Sequence, residues 1–392
     1  MTSVGSPSTS SGRRPPPSTA TPGFPSEAFD AFRKARLLSA YVPVELGGLG
    51  LGVTELASMC EILGQYCAST AMVFAMHHIQ VACIARHAGT SPFFRSYLTE
   101  VVEKQRLIAS VTSEAGVGGS TRTSVAPIER DDLERALCRL RKDGTVVSYG
   151  EHADDLLVTV RRAPDAPASD QALVLLRRSA STMEKTGTWD TLGMRGTCSP
   201  RFIVSGSFRE EQILEAPFAD ISSLTMVPFA HLLWSSCWLG IATDAIARAG
   251  AFVRDVARQT PGKTPPSAPR LSEATVELQL MRTQAHALAR EFGELIARPD
   301  GGRDELTSVG FALRMNNLKI ASSVLAVDIV TRALRICGTA GYRNDSRFSL
   351  TRHLRDAHSA ALMIGNDRMH QANGSILLVY KDDFGQAAGG AG

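Results

Sequence analysis

The chain has 392 residues, 44% of them hydrophobic and 21% charged, so a sizeable buried core is available. A net charge of +3 without a basic block argues against nucleic acid as the main partner. The 7 cysteines, an odd count without a C-x-x-C pair, read as buried thiols of a reducing compartment. No apolar run of membrane-spanning length and no signal-peptide order stand out, so the expected setting is the cytoplasm, with no membrane partner.

Residues 1–22 are mostly Ser, Thr, Pro and Gly and are expected to be a disordered tail. A helical domain is expected over 23–106. In it Phe29, Phe32 and Leu37 lie near helical spacing, and Pro43 and four glycines make a tight loop at 41–52. Thr54 is placed as the N-cap of a helix over 54–64. The stretch 68–87 reads as a helix apolar all round, with His77 and His78 as packed histidines rather than metal ligands. No metal site is expected.

The pattern changes at 107. LIASVT, the glycine-rich run 112–120, and short segments at 136–140, 145–148, 155–160, 172–176, 202–204 and 212–214 predict a small β domain over 107–217, a barrel or a sandwich. Long helical patterns follow at 226–254, 271–298 and 304–337, with a fourth beginning near Arg355. They predict a four-helix bundle over 218–384, with Pro228 tolerated in a first turn and a flexible tail at 385–392. Trp234 and Trp238 read as core. The turn 338–341 is either a plain helix–helix connection or a shelf for a ligand.

This order, a helical domain, a β domain and a C-terminal bundle, resembles the acyl-CoA dehydrogenase superfamily. VPVELGGLGLG (42–52) is similar to the family's P-E-x-x-G-G-x-G loop, and Thr112-Ser113-Glu114 with Gly118 to its T-E-P-x-x-G-S loop. Residues 145–150 stand where the family has W-I-T-N-G, and LGMRGT (192–197) is close to G-x-R-x-S/T. Residues 258–263 resemble R-x-x-F-G-K, 335–342 resemble Q-x-x-G-G-x-G-Y, and 354–357 carry the R-D-A that follows.

The resemblance implies FAD. Thr112, Ser113 and Ser148 would meet its ring and ribityl chain, and Gly118, Gly119 and Ser120 its pyrophosphate. Arg258, Arg335, Gly338 and Thr339 would serve the flavin of a neighbouring subunit, which implies a homodimer or homotetramer. The implied substrate is an acyl thioester of CoA or an acyl carrier protein, with an electron-transfer flavoprotein or oxygen as acceptor.

The sequence departs from the pattern where chemistry is concentrated. The family's catalytic Glu stands either in the C-terminal loop, here Ile364, or on the first bundle helix, here Ala230. His231 and Asp367 are the candidate replacement bases, with Asp367 also able to cap the last helix or pair with Arg368. Glu114 is read as structural, and Arg355-Asp356 as an internal ion pair. Val146 replaces the family's flavin-loop Trp. An oxygen-using branch has a His where this chain has Met363, which counts against that branch specifically. The resemblance favours α,β-dehydrogenation of an acyl thioester with a relocated base, because most chains of this architecture are dehydrogenases; flavin-dependent monooxygenation and flavin binding without catalysis are the alternatives.

Overall fold

The computed structural model describes residues 23–381 apart from 132 and 135, so the expected tails at 1–22 and 385–392 lie outside the described residues. The N-terminal part holds α1 (Ser26–Lys34), α2 (Val53–Tyr66), α3 (Ala68–His87) and α4 (Pro92–Lys104). α1 buries Phe29 and Phe32, as their spacing predicts. α2 starts earlier than expected: Gly52 is its N-cap, and Thr54 sits inside the first turn without capping it. α3 is buried on nearly every side. His77 accepts from Ile108 N at Nδ1 (3.1 Å) and donates from Nε2 to Leu38 O (2.7 Å), so it stitches α3 to its neighbours. Periodicity alone does not reveal α4. Ser91 starts it by accepting from Phe94 N at 3.4 Å, with Pro92 in the first turn, and that Ser-Pro pair is the signal.

The middle part holds β1 (Ile108–Val111), β2 (Glu129–Arg130), β3 (Leu137–Gly144), β4 (Asp155–Arg161), β5 (Gln171–Arg177), β6 (Ser181–Lys185) and β7 (Phe202–Arg209). They form two sheets, β1-β4-β5 and β2-β3-β7-β6, in which only β1 and β4 run parallel. β4 and β5 are apolar runs buried on both faces, whereas β3 alternates. The expected strand at 145–148 is a turn. The β3–β7 ladder ends at Gly144, and the chain then reverses into Tyr149 at φ +44°, held by its hydroxyl donating to Ile108 O (2.9 Å). The strand expected at 212–214 is a single bridge from Ile213 to Val174.

The C-terminal part holds α5 (Phe218–Ile221), α6 (Val227–Gln259), α7 (Ala268–Ile296), α8 (Arg303–Thr307), α9 (Val309–Cys337), α10 (Thr339–Tyr342), α11 (Thr351–Ala357) and α12 (Asn366–Leu377). Pro228 falls in the first turn of α6, as expected. The helix expected over 304–337 breaks at Ser308, whose Oγ accepts from Phe311 N at 3.1 Å to start α9. The expected fourth helix is two pieces, α11 and α12, joined by a turn that holds Ile364 at φ +49°. Ala68–His87 and Phe218–Gln259 are each long and apolar enough to cross a bilayer, contrary to the expectation of no such run; their most apolar 18-residue stretches are 89% and 94% buried in the fold, as core helices are.

α2 lies directly on α6. A Cβ on Gly64 would stand 2.4 Å from Cys237 O, and one on Gly240 would stand 2.3 Å from Glu61 O. The two backbones therefore touch, and no side chain fits between them. Gly240→Ala forces them apart and is expected to cost about 2–3 kcal/mol, the upper range for overpacking, read as a lower urea midpoint.

Candidate functional site

The loop 112–120 is built around a buried carboxylate. Glu114 accepts from Val125 N (3.2 Å), Ala126 N (2.7 Å) and Ser124 Oγ (2.7 Å), and lies 3.2 Å from Lys142 Nζ. Lys142 also donates to Thr159 O (2.5 Å) and Thr159 Oγ1 (2.9 Å); burial pulls its pKa down to about 8, with Glu114 opposing that shift. Glu114 is thus a structural anchor, as the sequence suggested, and is not free to move a proton.

With its root fixed, the loop presents Gly116, Gly118 and Gly119 at positive φ. Cβ atoms on Gly116 or Gly118 would meet nothing within 4 Å, so this side of the loop is open. Ser113 Oγ donates to Val146 O (2.7 Å) and accepts from Val146 N (2.9 Å), which joins the two motif loops. Val146 itself is 46% exposed. Ser148 Oγ accepts from Ser199 Oγ (2.9 Å), and Thr112 Oγ1 shares a hydrogen bond with Ser110 Oγ (2.8 Å). Ser120 Oγ accepts from Arg122 N (3.2 Å). This surface, with glycine N–H groups, hydroxyls and one exposed apolar side chain, fits a flavin: a planar apolar ring carrying a polar, phosphorylated chain.

The bundle closes the other side. Asp356 Oδ1 of α11 accepts from Met194 N at 2.7 Å, and a Cβ on Gly193 would stand 2.1 Å from Arg355 O. Asp356 therefore binds the β domain and forms no pair with Arg355, contrary to the sequence reading. Arg368 of α12 donates to Gly118 O, so the start of α12 meets the glycine loop. Asp367, beside it, is exposed; it neither caps α12 nor pairs with Arg368.

His231 lies on α6 against α9. Its Nδ1 is 3.1 Å from Met315 O, which makes Nδ1 the protonated nitrogen and leaves Nε2 with a lone pair. Burial first, then the Lys319 charge, lowers its pKa to about 4. Lys319 of α9, unnoticed in sequence, is fully buried and donates to Ile364 O (3.0 Å) and Asn366 Oδ1 (2.7 Å). A lone Lys between Leu318 and Ile320 on an apolar helix was the available signal.

The remaining candidates sit elsewhere. Arg258, at the end of α6, is exposed and pairs with Asp255, which also holds Arg347. Gly338 closes α9 at φ +54°, Thr339 opens α10, and Arg335 is exposed. Among the described residues no hydrogen bond links this set to the loop 112–120.

Two family models match the chain: the acyl-CoA dehydrogenase N-terminal domain over residues 18–105 and the acyl-CoA dehydrogenase C-terminal domain over 225–374. Together they span more than half of it. The chain belongs to the acyl-CoA dehydrogenase superfamily. Members of this superfamily are flavoenzymes, dehydrogenases and monooxygenases among them. The chain is 24% identical to cyclohex-1-ene-1-carbonyl-CoA dehydrogenase of Geobacter metallireducens, covering 91% of this chain and 90% of that protein. It is 30% identical to L-evernosamine nitrososynthase of a Micromonospora species over a shorter stretch, 44% of this chain and 41% of the other. The FMN-bound structure of the dibenzothiophene monooxygenase of Paenibacillus sp. A11-2 superposes with a TM-score of 0.77 at 21% identity, covering 92% of each chain.

Two outcomes follow for this superfamily member. Asp356→Ala strands Met194 N–H and should cost about 1–3 kcal/mol, whereas Asp356→Asn, which keeps an acceptor, should cost less; paired thermal melts compare them. His231 has a folded pKa of about 4, below the ordinary 6.5, so between those values the unfolded chain binds the extra proton. Its contribution is therefore intact above pH 6.5 and lost as pH falls toward 4, by about 3 kcal/mol in all. In His231→Gln the urea midpoint should fall less steeply over that window.

Proposed function

We propose that this protein is a flavin-dependent monooxygenase of the acyl-CoA dehydrogenase fold, acting on a small organic substrate. The observation that carries this reading is the lack of a usable carboxylate at the site. By the motif resemblance, Ile364 and Ala230 occupy the two positions where the family places its Glu. Among the described residues, the nearby carboxylates are otherwise engaged or misplaced: Glu114 is locked to Lys142, Asp356 holds Met194 N, and Asp367 is exposed on α12. His231, at about 4, is a poor match for abstracting an α-proton near neutral pH.

Oxygen insertion needs no such base. It takes substrate, O2, two electrons and two protons to oxygenated substrate and water. When bound, the flavin supplies the electrons and the oxygen chemistry. The chain's part would be to seat the ring against Ser113, Val146 and Ser148 and hold the phosphate end at Gly118 and Gly119. Arg258 and Arg335 complete the site from a second subunit, which makes the working form a homo-oligomer. The likeness to monooxygenases supports this at the level of fold and remains an analogy.

One observation favours dehydrogenation of an acyl thioester instead: the Nε2 lone pair of His231, left free by the Met315 contact. The two readings separate in one experiment on the purified protein. Oxygen uptake that requires externally reduced flavin and a small-molecule panel is expected, with no anaerobic bleaching by acyl-CoA esters. Anaerobic bleaching that disappears in His231→Ala, with flavin still bound, overturns oxygenation in favour of dehydrogenation. Absence of both leaves flavin binding without catalysis. Chromatography of the released cofactor distinguishes FAD, which the motif resemblance implies, from the FMN of the Paenibacillus structure.

A further inference from the structure

Lys319 has no role in the reading above, yet it is the fully buried ammonium nearest the turn where the family keeps its catalytic Glu. A buried ammonium is strongly unfavourable unless its N–H groups are satisfied. Here Nζ donates to Ile364 O (3.0 Å) and Asn366 Oδ1 (2.7 Å) and lies 5.9 Å from the Trp238 ring. Asn366 Nδ2 donates in turn to Ser323 Oγ (3.0 Å), one helical turn beyond Lys319 on α9. The same turn holds Ile364 at φ +49°. For a β-branched residue that conformation is strained and persists only where its surroundings impose it.

We propose that Lys319 is a positioning residue, whose ammonium clamps the Ile364–Asn366 turn and so fixes the start of α12 against the glycine loop. The clamp joins α9 to the turn before α12, and α12 carries Arg368 onto the glycine loop at Gly118. One lysine thus sets the position of the segment that closes the site. The proposal rests on the site assigned above, and its geometry does not depend on which reaction runs there.

Among the described residues no carboxylate is hydrogen-bonded to the ammonium. Of the groups on the packed elements, His231 of α6 is neutral, and Asp244 of α6 is held by Arg248 and His353. Asp356 of α11 accepts from Met194 N, and Asp367 and Arg368 of α12 are exposed. The carbonyl of Ile364 and the amide of Asn366 are what the charge has to hold.

The test is hydrogen exchange of the turn in the full-length protein, measured without substrate. The amides of Leu362, Met363 and Asn366, which bond to Ser359 O and Ala361 O, report on it. In Lys319→Met, which keeps length but loses the charge, their protection should fall about tenfold, with the protection of α6 and α9 unchanged. Lys319→Arg, which keeps the charge and donors, should restore most of it. In the wild type, protection corrected for intrinsic exchange should weaken as pH rises through about 8, where burial places the Lys319 pKa, and Lys319→Arg should not show this. Asn366→Ala removes one acceptor and should loosen the turn partially, which keeps the idea testable if Lys319→Met fails to fold. Unchanged protection in Lys319→Met or in Asn366→Ala overturns the clamp and leaves the oxygenation reading untouched. A loosened turn in a protein that takes up no oxygen overturns only the latter.

Discussion

The site exists because two separately built parts of the chain are held face to face, and one contact is central to that: the Asp356 carboxylate on Met194 N. Gly193 lets its backbone come against Arg355 O, where a Cβ would stand only 2.1 Å away, and Asp356 then closes the approach with a hydrogen bond to a buried amide. Burial raises the Asp356 pKa while the Met194 N–H opposes that rise, so the joint balances desolvation against one strong directional bond. The R-D-A motif is best understood as this joint. Its Arg needs no ion pair with its neighbour, because the carboxylate is already occupied across the domain boundary.

The same economy governs the other buried charges. Glu114 and Lys142 neutralise each other at the root of the glycine loop, and every oxygen of Glu114 has a donor. Lys319 has no carboxylate and is satisfied by a carbonyl, an amide oxygen and an indole face. Breaking either arrangement would leave an uncompensated charge in an apolar interior, a far larger penalty than losing a surface pair such as Arg258–Asp255. The buried charges therefore define rigid points, and the loops that would touch a flavin are attached to those points: 112–120 to Glu114, and the turn before α12 to Lys319.

Much of this was legible in the sequence, for reasons that differ by element. The long helices read correctly because α3, α6 and α9 are apolar over many turns, and β4 and β5 because they are short apolar runs between turn residues. The segment at 145–148 misled because Thr, Val and Val favour strands locally, while the ladder that would pair them ends at Gly144. α4 was missed since its signal is a capping Ser-Pro pair and not a periodicity. In the candidate site, motif order is what singles out the serines and glycines of the loops. The partners of Asp356, Lys142 and Lys319 are not singled out, because each reaches a residue distant in sequence, and no local pattern encodes a contact between 319 and 364.

The distribution of charge also bears on what chemistry the cleft can host. A carboxylate poised above a substrate must be kept ionised or protonated by its surroundings, and the family's Glu would share this space with Lys319. A glutamate at 364 would place a second charge beside an ammonium that already bonds the backbone carbonyl of the same residue. The pair would attract, drawing the carboxylate toward the bundle and depressing its basicity. Ile364 avoids that conflict: it offers its carbonyl to Lys319 and keeps its apolar side chain packed against the core. An ammonium already satisfied by the Ile364 carbonyl and the Asn366 amide oxygen needs no carboxylate beside it, and an apolar side chain at 364 is consistent with that arrangement.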